Sequence, residues 1–157
     1  MLNPETSTSY DISVVNGLIE TTLDSADGYR RSAEEATSGR FSTDFTKAAT
    51  ERQQIVTRLQ DAVRRMGGNP EDDGSILAAA HRTFLTIRDR VTGSDDKAVL
   101  DEVDRGESYL NDKWQAALKD EKLSAETRSV LTQCYDSIRS GRDQWAAVNR
   151  NMATTTS

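Results

Sequence analysis

The sequence carries one histidine, one cysteine and two prolines in 157 residues, and it has no long apolar run. With Cys134 alone, an intramolecular disulfide is impossible. The two prolines, Pro4 and Pro70, leave long segments free of the residue that breaks helices. No stretch approaches the roughly 18 apolar residues of a membrane span, so a membrane is not an expected partner. The opening MLNPETSTSYD has no basic region followed by an apolar core. It is not read as a signal peptide, and a soluble, cytoplasmic protein is expected. Cationic surplus is also missing. The net charge is -6 and the pI about 4.9, so the surface repels phosphate backbones and nucleic acid is not an expected partner. Glycine-rich phosphate loops, nucleophile elbows and Glu-x-x-His pairs are absent. The acidic NPEDDG at 69–74 lacks the alternating ligands and closing Glu of a calcium loop.

What the sequence has is helical periodicity. Ile12, Val15, Ile19, Thr22, Ala26, Tyr29, Ala33 and Ala36 alternate at spacings of three and four, which is one face of a long helix. A second stripe runs Phe45, Ala48, Arg52, Ile55, Leu59, Ala62, Met66. After the turn-rich GGNPEDDG comes a shorter segment with Ile76, Ala80, Phe84, Ile87 and Val91 on one side. The next stripe is Leu100, Val103, Glu107, Leu110, Trp114, Ala117. The last is Leu131, Cys134, Ile138, Gly141, Trp145, Val148, Met152, in a helix opening after Ser124. No strand-like alternation of useful length appears. The reading is all-α: four long helices of roughly 25 residues, each about 35–40 Å. Short turns make the first and second helices, and the third and fourth, antiparallel neighbours. A shorter helix lies in the long crossover between the second and third, the connectivity of ferritin-like bundles. One domain over residues 10–150 is expected, with polar flexible ends at 1–9 and 151–157.

Two residues interrupt the apolar stripes. Arg52 and Glu107 each stand near the middle of a helix where an apolar side chain belongs. A buried charge is costly unless paired, so the two either meet at the bundle centre or rotate outward to solvent. If they meet, Glu51, Thr22 or Arg142 is expected beside them. Arg52, Glu107, Glu51 and Arg142 then form a buried polar network that sets helix register. The alternative use of the centre is a di-metal carboxylate site for Fe or Mn, built from Glu20, Glu51, Gln54, Glu102 and Glu107. Glu51 and Gln54 have the Glu-x-x-His spacing with an amide in place of the imidazole. A third candidate is a ligand pocket near His81, Phe84 and Tyr29. Cys134, Trp114 and Trp145 lie on stripes and read as core.

The ordered segments VNGLIETTLDSADGYRRSAEEA, ERQQIVTRLQDAVRRMGGNPEDDGS, AAAHRTFLTIRDRVTGSDD and VLDEVDRGESYLNDKWQAAL are distinctive together. The Arg-Gly-Glu at 105–107 is the most telling element, with His81 followed by an aromatic at Phe84. Over about residues 10–148 the chain resembles the bacterial ferritin-like four-helix-bundle proteins catalogued as a domain of unknown function. The resemblance implies a ferritin-like bundle of the kind grouped with stress-associated proteins, without an established activity. Where similar sequences tend to carry a histidine on the last helix, this one has Gly141, Arg142 and Asp143. The expectation is a non-catalytic, stress-associated or interaction protein, with no cofactor, as a homodimer or with another protein as partner. The competing expectation is a histidine-poor Fe or Mn oxidase or iron-handling protein.

Overall fold

The computed structural model describes residues 4–73 and 96–155, which form four α-helices: α1 (Pro4–Glu35), α2 (Gly39–Arg65), α3 (Asp96–Leu118) and α4 (Ala125–Thr155). No strand occurs among the described residues, and the fold is the expected all-α four-helix bundle. No described helix is long and apolar enough to cross a membrane. The shorter crossover helix expected around 76–91, with His81 and Phe84, lies outside the described residues. Helix α1 begins at Pro4, well before the apolar stripe, and α4 continues to Thr155, so residues 4–9 and 151–155 are helical. Proline suits a first helical turn because its missing N–H has no intrahelical partner there. Tyr10 and Asp11 tie this early part of α1 to the turn between α3 and α4.

Side-chain contacts fix the helix directions. Between α1 and α3, Thr22 meets Trp114, Tyr29 meets Glu107, and Thr37 just beyond α1 meets Asp96. Rising numbers on α1 pair with falling numbers on α3, so these helices are antiparallel. The contacts of Arg52 with Ser137, Arg58 with Gln133 and Met66 with Thr127 make α2 and α4 antiparallel too. Helices α2 and α3 therefore run parallel across the diagonal. One finishes where the other does, so α2 ends at the opposite end of the bundle from the start of α3. The helix directions match the one-long-crossover connectivity expected from the sequence.

Each end is closed by an aspartate from a neighbouring helix. At the first, Asp11 is buried and accepts hydrogen bonds from Ser124 N (3.3 Å), Ser124 Oγ (2.6 Å) and Thr127 Oγ1 (2.8 Å). Ser124 Oγ also accepts from Thr127 N at 3.2 Å, so a capped helix start on α4 is itself anchored to α1. Arg128 donates to the carbonyls of Leu118, Asp120 and Leu123, covering acceptors left open at the end of α3. At the other end, Asp96 accepts from Thr37 N (2.8 Å) and Ser38 N (3.1 Å) in the turn between α1 and α2.

Helix α2 ends in a glycine cap. Gly67 N–H reaches Arg64 O and Gly68 N–H reaches Val63 O, both at 2.9 Å, while Gly67 adopts φ +82°. This is the Schellman arrangement, which needs a left-handed residue at Gly67. Replacing Gly67 by Ala is expected to destabilise the fold by about 1–2 kcal/mol through the left-handed backbone penalty. Urea unfolding checks this. An unchanged midpoint would mean that the turn reforms without the positive φ.

Candidate functional site: a buried charge layer

The core falls into two apolar clusters. The larger, toward Asp11, centres on Ile19, Leu59, Trp114 and Leu131. The smaller, toward Asp96, packs Tyr29, Phe45, Leu100 and Trp145. Between them lies a polar layer in which Arg52 and Glu107, 3% and 2% exposed, form a salt bridge across the bundle diagonal. Residue 52 falls inside because α2 buries Phe45, Ala49, Ile55, Val56 and Leu59, whose 3.6-residue period includes it. Residue 107 falls between Val103 and Leu110 on the buried face of α3 by the same periodicity.

The geometry is lopsided. A single nitrogen of Arg52, Nη2, donates to Glu107 Oε1 at 2.9 Å and to Oε2 at 2.7 Å. Two parallel bonds from two nitrogens would be the stronger form. Nη1 makes a long contact of 3.5 Å to Ser137 O on α4, and the buried Nε has no hydrogen-bond partner. Tyr29 supplies the third member: its hydroxyl donates to Glu107 Oε1 at 2.6 Å, and the Arg52 guanidinium carbon lies 5.8 Å from its ring centre. Thus all four helices contribute.

Gly141 explains how α4 admits the guanidinium. A Cβ at this position would lie 2.4 Å from Arg52 Nη2 and 3.3 Å from Glu107 Oε2. The charged head therefore occupies the space where α4 would otherwise place a side chain. Electrostatics follow from this enclosure. Burial pushes the Tyr29 phenol well above its ordinary pKa, and the Glu107 carboxylate pushes it further, with Arg52 opposing. Burial works against the charge on Arg52, but Glu107 and Tyr29 outweigh it and raise its pKa. Cys134 is buried in the neighbouring apolar cluster, and that burial raises its thiol pKa against the opposing pull of Arg58. A protonated, enclosed thiol is a packing group.

The expected polar network is thus redrawn. Arg52 and Glu107 are brought together, but Glu51 and Arg142 are not part of their layer. Glu51 is exposed, because one step along α2 from the inward Arg52 turns the side chain by about 100°. Arg142 is 44% exposed, beside Asp143. The positions considered for a metal do not converge either. Glu51 and Gln54 face solvent, Glu20 is half-buried, and Glu102 pairs with Arg105 on the flank of α3. Glu107 is occupied by Arg52 and Tyr29. Among the described residues, no group of three or more His, Cys, Asp or Glu side chains is placed to hold a metal ion. Of the pocket residues, Tyr29 is 4% exposed and committed to Glu107, while His81 and Phe84 lie outside the described residues. Thr22 is buried and accepts from Trp114 Nε1 at 3.2 Å.

Sequence reasoning missed Tyr29 as a member of the layer, and Gly141 as its cradle. The signal for Gly141 was its place on an apolar stripe where a side chain belongs. It also missed a cleft of about 510 Å³ among α1, α2 and α4, bordered by Thr8, Arg65, Met66, Glu126 and Val130. Its lining also includes the fully buried Val15, Leu59 and Leu131.

These features define a class: an all-α four-helix bundle closed around a diagonal, tyrosine-backed ion pair. The chain belongs to a family described as a domain of unknown function (DUF2383), whose profile matches residues 11–120. That span includes Tyr29, Arg52 and Glu107, and it ends before Ser137 and Gly141. A search of the curated proteins returned no match.

Two experiments test the layer. Arg52→Ala or Glu107→Ala alone is expected to cost about 3–5 kcal/mol, because each strands a buried charge, whereas Arg52→Met with Glu107→Leu together costs much less. Chemical unfolding of the three variants reads this, and additive losses would mean that the partners are independent. Tyr29 gives the pH dependence. Its folded pKa is raised, so its contribution is complete below the ordinary tyrosine value of about 10 and is lost as pH rises beyond it. Ultraviolet titration should show the last-ionising tyrosine disappear in Tyr29→Phe. An unchanged last step would show that Tyr29 is not the protected phenol.

Proposed function

We propose that this is a non-catalytic helical-bundle protein of ferritin-like type, which acts by associating with another protein, a second copy of itself included. The observation that carries this reading is the Arg52 guanidinium bonded to Glu107 at the bundle centre. In di-metal bundles of comparable topology, inward carboxylates on facing helices surround two cations. Here the inward carboxylate has a cation covalently attached to the chain, packed against Gly141. A divalent ion at Glu107 would have to displace a buried positive charge at close range. With its central polar groups engaged with each other, the bundle has its outer helix faces left for function. A bacterial, stress-associated role enters this proposal through the family resemblance.

The test is an anaerobic titration of tag-free protein with Fe(II) and with Mn(II), alongside Glu107→Ala. No tight binding to either protein is expected. Tight binding near two ions per chain, lost in the variant, would overturn the reading in favour of a histidine-poor metal site. Light scattering over a range of concentrations tests self-association, with a dimer expected at twice the 17.4 kDa chain mass.

A further inference from the structure

We infer that the outward face of α3 is a dimer contact, on which a second copy of the chain packs its own α3 in antiparallel orientation about a two-fold axis near residue 108. This names the surface for the self-association proposed above and rests on that reading.

The Arg105-Gly106-Glu107 motif is used in two directions. Glu107 points into the charge layer, while Arg105 and Gly106 face solvent. Nothing within the chain calls for a glycine at 106, because a Cβ there would meet no atom within 4 Å. A glycine inside a helix weakens it relative to alanine, and its usual compensation is the close approach of another surface. Gly17 and Gly28 on α1 are open in the same way. Gly106 differs in having Tyr109 one turn further on. Tyr109 is 53% exposed, the one large apolar side chain so placed among the described residues. Lys113 Nζ lies 5.4 Å from its ring centre. A single exposed aromatic is ordinary, and it is the charges around this one that select a partner.

Along the outward face the order is Glu102, Arg105, Tyr109, Asp112, Lys113, with an acid and a base on either side of the aromatic. At 100° per residue, Glu102, Gly106, Tyr109 and Lys113 lie to one side of that face, and Arg105 and Asp112 to the other. A two-fold axis across the helix reverses the chain direction and sets each side opposite its own copy. Glu102 then meets the partner's Lys113, Arg105 meets the partner's Asp112, and Tyr109 covers the partner's Gly106, each contact occurring twice. A parallel copy would set like charges against each other, which disfavours it. The contact is one helix wide, below the roughly 1,600 Å² of a standard interface, so the dimer is concentration-dependent and weakened by salt.

Sedimentation of the full, tag-free chain over a range of concentrations reads the dimer. Arg105→Glu and Asp112→Arg, each alone, oppose like charges twice and are expected to raise the dissociation constant at least about tenfold. Both positions are exposed, so each variant should keep its helix content, which circular dichroism checks. Mixing the two variants restores opposite charges at both places and is expected to return the dimer at close to its original strength. Gly106→Leu should weaken the dimer of the otherwise unmodified chain, since Tyr109 can no longer close over that site. A dimer that neither charge variant weakens, or a mixture that stays monomeric, would overturn this face and leave the association reading in place. A monomer at every concentration would overturn the face and self-association together, while the Fe(II) and Mn(II) titration bears independently on the rest of that reading.

Discussion

An arginine guanidinium keeps its charge in any protein environment, and here it has been carried out of water into the centre of the bundle. Everything near it answers that constraint. Glu107 neutralises it from the diagonal helix, Tyr29 satisfies the carboxylate from α1, and Gly141 clears space on α4. The arrangement is not optimised for strength. One nitrogen carries both carboxylate bonds, and Nε is left without a partner. Such a pair contributes little net stability compared with an apolar filling of equal volume, yet it penalises any rotation or slip that separates its members. A slip of α2 against α3 at this layer would strand both charges.

The same layer interrupts the apolar core. Helical bundles usually run a continuous seam of interlocking side chains along their length. Here the seam is continuous on either side of the layer and broken at it, with a tryptophan anchoring each part. The ends compensate differently. Asp11 and Asp96 perform matching tasks, Asp11 from within α1 and Asp96 from the first residue of α3, each reaching backbone or hydroxyl donors on a neighbouring turn. The Asp11 end adds a glycine cap and an arginine over exposed carbonyls. At the Asp96 end, Lys97, Asp101 and Asn149 hold α3 to α4.

Much of the fold was legible in the sequence. The stripes placed Val15, Ile19, Thr22, Tyr29, Leu59, Leu100, Leu110, Trp114, Leu131 and Ile138 inside, where they are found. They also exposed Arg52 and Glu107 as interruptions, because a charge at an apolar position is visible against a 3.6-residue period. Less was legible about company. Glu51 adjoins Arg52 in the chain, but adjacent helical residues point in different directions. Tyr29 looked like one more core aromatic, and only its height along α1 puts its hydroxyl beside Glu107. Asp11, polar and near the start of the chain, gave no sign of being buried.

Local patterns along the chain specify the helices, their inward faces and the presence of two charges that needed an answer. Those properties follow from local periodicity and from the cost of removing charge from water, and both can be read along a single helix. Tertiary structure alone decided which groups gave the answer. The partnership of Arg52 with Glu107, Tyr29 and Gly141 depends on the relative height and rotation of four helices. That register is set by packing between segments up to 112 residues apart in the chain, and no local pattern encodes it.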